Sequence, residues 1–118
     1  MVKFLSVGFG ILLVVMTSGL SAAAQAGNSD EGKKVFSAKC ATCHGPDGSG
    51  NTSVGKTLKA ADLRSADVQK KADADFYAQV ENGKGKMPPF GRALNKTQIN
   101  DVVAYVRELG HETAEKKH

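Results

Sequence analysis

Hydrophobic residues near the C-terminal end of the chain recur at the spacing of one helix face. They are Ile99, Val102, Val103, Val106 and Leu109. Just before them, Asn95 and Gln98 have the spacing of a capping box, and Gly110 follows directly after them. The pattern predicts a helix that begins after Asn95 and ends at Gly110, followed by a polar tail over residues 111–118.

Two earlier segments carry similar helix signals. Residues 28–43 begin with Asn28 and Glu31 at the capping-box spacing, which predicts a helix that extends to Cys43. In the segment ADFYAQVEN, Phe76 and Val80 lie one turn apart, Asp73 is placed as the N-cap and Gly83 as the stop signal. A short helix between residues 62 and 71 is also compatible with the pattern.

The segments between these helices are rich in glycine and proline. Residues 45–55, GPDGSGNTSVG, and residues 83–91, GKGKMPPFG, are predicted to be loops. Residues 27–118 show no convincing strand alternation, so the predicted fold is all-α, with three or four helices and two long glycine-rich loops. The hydrophobic side chains are few for a self-sufficient core, which suggests that an apolar group lies between the helices.

The N-terminal segment has the features of a secretory signal. Lys3 is followed by an uncharged run that is most apolar from Phe4 to Met16 and ends in small residues. Cleavage after Ala26 would divide the chain into a signal peptide, residues 1–26, and an exported domain, residues 27–118, with a core of about 27–110. The alternative is an uncleaved membrane anchor, because residues 4–26 are long enough to span a bilayer.

Charge and motifs exclude several function classes. The net charge is +4, and one of the positive charges, Lys3, lies in the signal segment. The lysines are dispersed and lack interleaved aromatic residues, which argues against nucleic-acid binding. The sequence contains neither a Walker-type phosphate loop nor a G-x-S-x-G nucleophile motif.

Both cysteines of the chain lie in the motif Cys40-Ala-Thr-Cys43-His44. A disulfide between them would close too small a loop to stabilise the fold, and it would give His44 no role. A structural zinc site needs about four ligands, usually in two spaced pairs, and here one pair exists. A thioredoxin-like dithiol is expected in a βαβ context, which the pattern lacks.

Covalent haem attachment explains the whole motif and the sparse core. Each thiol can add across one vinyl group of the porphyrin, and the adjacent His44 can bind the iron from one face. For the opposite face, Met87 is the candidate ligand, because Met1 and Met16 belong to the signal segment. His111 and His118 are competitors that lie in or near the polar tail. We therefore expect one haem c, attached through Cys40 and Cys43, with His44 and Met87 as iron ligands.

The stretches GKKVFSAKCATCHGPDGSG, GKGKMPPF and INDVVAYVREL, in this order, resemble the class I single-haem bacterial cytochromes c, of the small soluble kind. The resemblance covers nearly all of residues 27–109. It implies the cytochrome c fold, in which helices and loops wrap round haem c and the terminal helices cross. Gly32, Phe36 and Tyr105 match the positions at which those helices meet in the family.

The resemblance also implies a function. We expect a periplasmic, monomeric electron carrier without enzymatic activity, whose iron cycles between Fe(III) and Fe(II) and whose redox partners have acidic docking surfaces. Lysines next to the ligand motifs, chiefly Lys39, Lys84 and Lys86, would form a basic rim for those partners. The alternative is a haem-based ligand sensor or peroxidase-like enzyme in which Met87 is displaceable.

One departure from the family concerns the support of His44. Many relatives have a proline after the haem motif, and its carbonyl accepts the proton of the ligating imidazole. The corresponding segment here, NTSVGKTL, has no proline. We expect a backbone carbonyl near residues 53–55 to take that place.

Overall fold

The computed structural model describes residues 26–118, so the predicted signal segment lies outside the described residues apart from Ala26. This part of the chain is helical and contains no strand; its one isolated β-bridge joins Lys84 and Met87. The prediction of an all-α fold is confirmed, although residues 26–118 contain six helices rather than the expected three or four. The helices are α1 (Ser29–Lys39), α2 (Ala41–His44), α3 (Ser53–Leu58), α4 (Ala66–Gln69), α5 (Asp73–Asn82) and α6 (Lys96–Glu115).

Helices α1 and α6 cross in direct backbone contact. A Cβ atom on Gly32 would overlap the carbonyl oxygen of Asp101 and would lie 3.0 Å from the Cβ of Tyr105. The rings of Phe36 and Tyr105 pack edge to face beside this point, with centroids 5.2 Å apart. The expected roles of Gly32, Phe36 and Tyr105 are confirmed, and Gly32 is required because only glycine permits this approach.

Helix α6 supplies most of the buried hydrophobic side chains. Its predicted capping box is present, since the side chain of Asn95 accepts the Gln98 N–H and the Gln98 side chain accepts the Asn95 N–H, both at 2.9 Å. The predicted end at Gly110 is wrong, because the helix continues to Glu115. Gly110 instead provides space for the side chain of Gln69, which a Cβ atom would overlap.

The predicted helix over residues 28–43 is divided at Cys40. Asn28 caps α1 as predicted and accepts the N–H groups of Asp30 and Glu31. Glu31 does not complete the capping box, since it binds Lys34 at 2.7 Å. Cys40 ends α1 and precedes the single turn of α2, which places the second cysteine and the histidine on a separate turn.

The shorter helices differ from the prediction in detail. The segment predicted as a loop up to residue 55 contains the start of α3, which Thr52 caps by accepting the Gly55 N–H. α4 occupies only part of residues 62–71. α5 begins at Asp73 rather than after it and ends at Gly83 as predicted. None of the helices within residues 26–118 is long and apolar enough to cross a membrane.

Candidate haem site

The helices and loops enclose a cavity of about 710 Å³. The four residues that the sequence analysis selected, Cys40, Cys43, His44 and Met87, all line this cavity. Its walls are otherwise mainly apolar, and the residues that contribute include Phe36, Leu58, Leu63, Phe76, Val80, Val102 and Val106. The sparse core predicted room for an apolar group between the helices, and this cavity provides it. The four candidate donor side chains lie on the cavity wall.

The two cysteines lie side by side at the break between α1 and α2. The Cys43 N–H donates to the carbonyl of Cys40 at 3.2 Å, and neither cysteine forms a disulfide. Burial, together with the nearby Cys43, raises the pKa of the Cys40 thiol to about 11. Such a thiol is protonated at neutral pH and is a poor nucleophile, because thiol exchange requires the thiolate.

His44 is oriented by the carbonyl of Ala61, which lies 3.2 Å from Nδ1. Because a carbonyl can only accept, Nδ1 carries the proton and Nε2 is free to bind a metal. Burial lowers the pKa of His44, although the Ala61 hydrogen bond partly opposes this effect. This shift favours the neutral form of the ring, which metal ligation requires.

The expectation of a carbonyl near residues 53–55 was wrong. Those residues form the first turn of α3, and the carbonyl of Ser53 accepts the Thr57 hydroxyl at 3.0 Å. The chain leaves α3 through Lys59, which has a left-handed φ of 56°. It then passes the imidazole with the irregular segment that contains Ala61.

A second layer of hydrogen bonds holds the haem motif from behind. The Thr52 hydroxyl donates to the carbonyls of Thr42 at 2.8 Å and Cys43 at 3.2 Å, and it accepts the Gly55 N–H at 2.8 Å. Gly55 packs so closely that a Cβ atom would overlap the Cys43 carbonyl. The motif is therefore fixed to α3 by both hydrogen bonds and backbone contact.

Met87 reaches the cavity from a tight turn. Lys84 and Met87 exchange two backbone hydrogen bonds of 3.0 Å each. Pro88 and Pro89 follow, and Gly83 lies against the Met87 carbonyl, where a Cβ atom would be 2.6 Å away. This arrangement restricts the backbone on both sides of the methionine.

Gln79 contacts Met87 and was missed in the sequence analysis. Its Nε2 lies 3.7 Å from the Met87 sulfur, and the residue also lines the cavity. The sequence signal that could have identified it is its place on α5 beside Val80, one turn after Phe76. A polar residue next to two buried positions indicates a side chain at the edge of an apolar wall.

The competing histidines do not approach the cavity. His111 lies exposed in the last turns of α6, His118 is exposed at the end of the chain, and neither lines the cavity. Within residues 26–118, no cluster of three or more histidine, cysteine or acidic side chains could hold a metal ion. The donors that fit a haem, two thiols, an imidazole and a thioether, are those on the cavity wall.

Comparisons with known proteins agree with this geometry. The family model described as cytochrome C oxidase, cbb3-type, subunit III, matches residues 27–106. Cytochrome c6 from Synechococcus sp. is 46% identical over 97 residues, which cover 81% of this chain and 83% of that protein. Cytochrome c6 from Pyropia yezoensis is 42% identical over 108 residues, or 90% of this chain and 93% of that protein. The chain belongs to the class I monohaem cytochromes c.

A solved structure supports the same family. The KustC0563 c-type cytochrome superposes with a TM-score of 0.62 at 32% identity, covering 66% of this chain and 95% of that one. Membership of the family brings one covalent haem c, iron binding and a role in electron transport. The prediction of a c-type cytochrome that carries electrons is confirmed, and the relatives that the chain matches are carriers rather than enzymes.

The surface around the cavity of this cytochrome is basic. Five exposed lysines line the cavity, namely Lys39, Lys59, Lys71, Lys84 and Lys86. Lys39, Lys84 and Lys86 were predicted from their positions in the sequence, whereas the other two were not. Lys33 and Lys34 do not line the cavity, and Lys34 is paired with Glu31. We refer to the five lining lysines as the lysine rim.

Proposed function

We propose that this cytochrome carries single electrons on a haem that Cys40 and Cys43 would hold as thioethers and whose iron His44 and Met87 would bind. One observation carries the proposal: all four side chains line one mainly apolar cavity. When bound, haem iron supplies one-electron exchange between Fe(III) and Fe(II). The protein's part is to hold the ligands, exclude water and limit the movement that accompanies the exchange.

Different contacts hold His44 and Met87, and both arrangements fix the side chain at the cavity wall. The Ala61 carbonyl fixes the imidazole tautomer, and the backbone turn at Lys84 and Met87 presents the thioether. A histidine and methionine pair favours a raised reduction potential. If His44 and Met87 both bound the iron, they would leave no coordination site open to a substrate, so we propose that the protein is not an enzyme.

The competing proposal is a haem sensor or peroxidase-like enzyme with a displaceable methionine. Exposure of the reduced protein to carbon monoxide discriminates the two, with Met87→Ala as the matched open-site variant. A carrier does not bind carbon monoxide at neutral pH, whereas Met87→Ala binds it readily. Rapid binding by the unaltered protein would favour the sensor or enzyme.

We propose further that the signal is removed after Ala26, so that the periplasmic domain begins at Gly27. Two contacts support this boundary. A Cβ atom on Gly27 would overlap the carbonyl of Asn100, and the Asn28 N–H donates to the buried Asp101 carboxylate at 2.7 Å. Ala26, by contrast, is exposed. An intact mass that corresponds to residues 27–118 plus one haem is expected, and retention of residues 1–26 would support the anchor instead.

The lysine rim suggests redox partners with acidic docking surfaces, which a monomeric carrier would meet transiently. Complementary charge accelerates such encounters and is screened by salt. We expect the rate of electron transfer to an acidic partner to fall as ionic strength rises. The Lys84→Glu, Lys86→Glu double variant should slow it further, whereas Lys33→Glu, away from the cavity, should change it less. A rate independent of salt would contradict the proposal.

A further inference from the structure

Arg107 on α6 makes an unusual number of contacts for a surface residue. Its Nε donates to the carboxylate of Asp73 at 2.7 Å, and its two terminal nitrogens donate to the backbone carbonyls of Gln69 and Lys71. The guanidinium also lies 4.6 Å from the centre of the Phe76 ring. Three donors and the face of the group are therefore all engaged.

These contacts fall on one wall of the cavity. We define the α4–α5 wall as residues 63–76, of which Leu63, Val68, Lys71 and Phe76 line the cavity. Arg107 contacts this segment from the side of α6, where it satisfies carbonyls at the end of α4 that the short helix cannot use. Phe76 lies between the guanidinium and the cavity, because it contacts the first and lines the second.

A second side chain joins the wall to α6 at the same place. The Gln69 Nε2 donates to the carbonyls of Leu63 at 2.7 Å and Val106 at 2.9 Å, and Gln69 Oε1 accepts from Arg107 at 3.3 Å. Gly110 leaves room for this side chain. Apart from the first turn of α5, the wall contains one helix of four residues, which has little stability of its own. Its position therefore depends on these polar contacts with α6 as well as on the packing of Leu63, Val68 and Phe76 against the core.

We propose that Arg107 is a positioning residue that keeps the α4–α5 wall closed against the haem and thereby favours the reduced iron. The inference rests on the proposed function of the cavity. Fe(III) carries one more positive charge than Fe(II), so exclusion of water from the cavity disfavours the oxidised form. A guanidinium is needed because only its planar, multidentate fork can bind two carbonyls and a carboxylate while stacking on Phe76.

The test compares three variants of the haem-loaded protein. Arg107→Gln removes the charge and the fork, Arg107→Lys keeps the charge and removes the fork, and Lys70→Gln removes an exposed charge from the same wall without touching Phe76. The equilibrium Fe(II)/Fe(III) ratio is measured at a fixed electrode potential. Amide hydrogen exchange of residues 63–76 is measured in parallel, because it reports opening of the wall directly.

If Arg107 positions the wall, both Arg107 variants lower the Fe(II)/Fe(III) ratio at least about threefold, or about 28 mV at 59 mV per tenfold change. Exchange of the wall amides should accelerate about tenfold in both, and Lys70→Gln should change the ratio less than about twofold. An unchanged ratio in Arg107→Lys would overturn the proposal in favour of a charge effect. An equal shift in Lys70→Gln, or unchanged exchange, would also overturn it.

A double-variant cycle with Phe76 covers the case in which Arg107→Gln does not accumulate. Phe76→Leu keeps the wall apolar and removes the ring face that the guanidinium covers. The effect of Arg107→Lys on the Fe(II)/Fe(III) ratio should be smaller in the Phe76→Leu background, and full additivity would contradict coupling through the ring. An error in the assignment of His44 and Met87 as iron ligands is recognised separately. It would show in the absorption spectrum of the unaltered protein, whereas the hydrogen exchange of the wall amides does not depend on that assignment.

Discussion

The two sides of the haem cavity present the proposed iron ligands in contrasting ways. His44 is held by the Ala61 carbonyl, and the chain around it is fixed to α3 by the Thr52 hydroxyl and by contact with Gly55. Met87 is held by a two-residue turn, by packing against the cluster of Val80, Leu94 and Ile99, and by one long contact from Gln79. His44 thus lies in a layered hydrogen-bond network, whereas Met87 is held by apolar packing and by the backbone restriction of its own loop.

The difference indicates which of the two residues is displaced first when the protein opens locally. Displacing His44 requires breaking hydrogen bonds and backbone contacts across three segments of the chain, while displacing Met87 requires movement of one turn and loss of the packing of its side chain against one apolar cluster. Gly85 lies at the tip of that turn, and a Cβ atom added there would have no neighbouring atom within 4 Å. We infer that local opening of the protein begins on the Met87 side.

The largest effect is expected from removal of the ligands themselves. His44→Ala should abolish nearly all accumulation of haem-bearing protein, because the motif that carries both cysteines loses its iron contact. Met87→Ala should accumulate with haem still attached. Intact mass and haem absorbance per polypeptide measure both. Equal yields of the two variants would contradict the inferred difference between the two sides.

A pair of glycine substitutions tests the contrast in packing. Gly55→Ala should lower the free energy of unfolding by about 3 kcal/mol, because its Cβ would overlap the Cys43 carbonyl and lie against that of Gly50. Gly85→Ala should lower it by only about 1 kcal/mol, the cost of a left-handed conformation in open space. Denaturant unfolding of both holoproteins gives the values, and the reverse order would contradict the contrast.

Features governed by local chemistry could be predicted from the sequence. Asn95 and Gln98 cap α6 as their spacing indicated, and the C-x-x-C-H motif with Met87 identified the four residues that meet at the cavity. The crossing at Gly32 followed from the family resemblance and has a clear physical basis in the contact with Asp101. Each of these signals is contained in a few neighbouring residues or in a motif.

Features that depend on distant contacts could not be predicted. Gly110 has the sequence signature of a helix stop, yet α6 continues because the missing side chain makes room for Gln69, 41 positions earlier in the chain. The Ala61 carbonyl was missed because a backbone acceptor has no residue signature. Arg107 was missed for a similar reason, since two of its partners are carbonyls of another helix end.

A smaller effect is expected from the hydroxyl that supports the haem motif. Thr52→Val should lower the free energy of unfolding by about 1–2 kcal/mol, because the Gly55 N–H loses its acceptor and two carbonyls lose their donor. Thr57→Val is the matched control, since its hydroxyl donates only to Ser53 one turn earlier on an exposed surface. A loss in Thr57→Val as large as in Thr52→Val would show that the layered network adds nothing.

The smallest effect is expected at the Met87 side. Gln79→Leu removes the N–H that faces the Met87 sulfur, a weak contact at 3.7 Å. The temperature at which the methionine leaves the iron should fall by about 2–5 °C, as a loss of less than about 1 kcal/mol implies for a domain of this size. Glu81→Gln on the same helix should leave this temperature unchanged. A larger fall of the temperature in Glu81→Gln than in Gln79→Leu would contradict the role of Gln79.

The most direct test of the ligand set is the near-infrared absorption of the oxidised protein. A methionine bound to ferric haem gives a weak charge-transfer band, which is lost when the sulfur is absent. With His44 and Met87 as the ligands, the band is present in the unaltered protein and absent from Met87→Ala, while both keep covalent haem at Cys40 and Cys43. Absence of the band from the unaltered protein, or its persistence in Met87→Ala, would contradict the assignment.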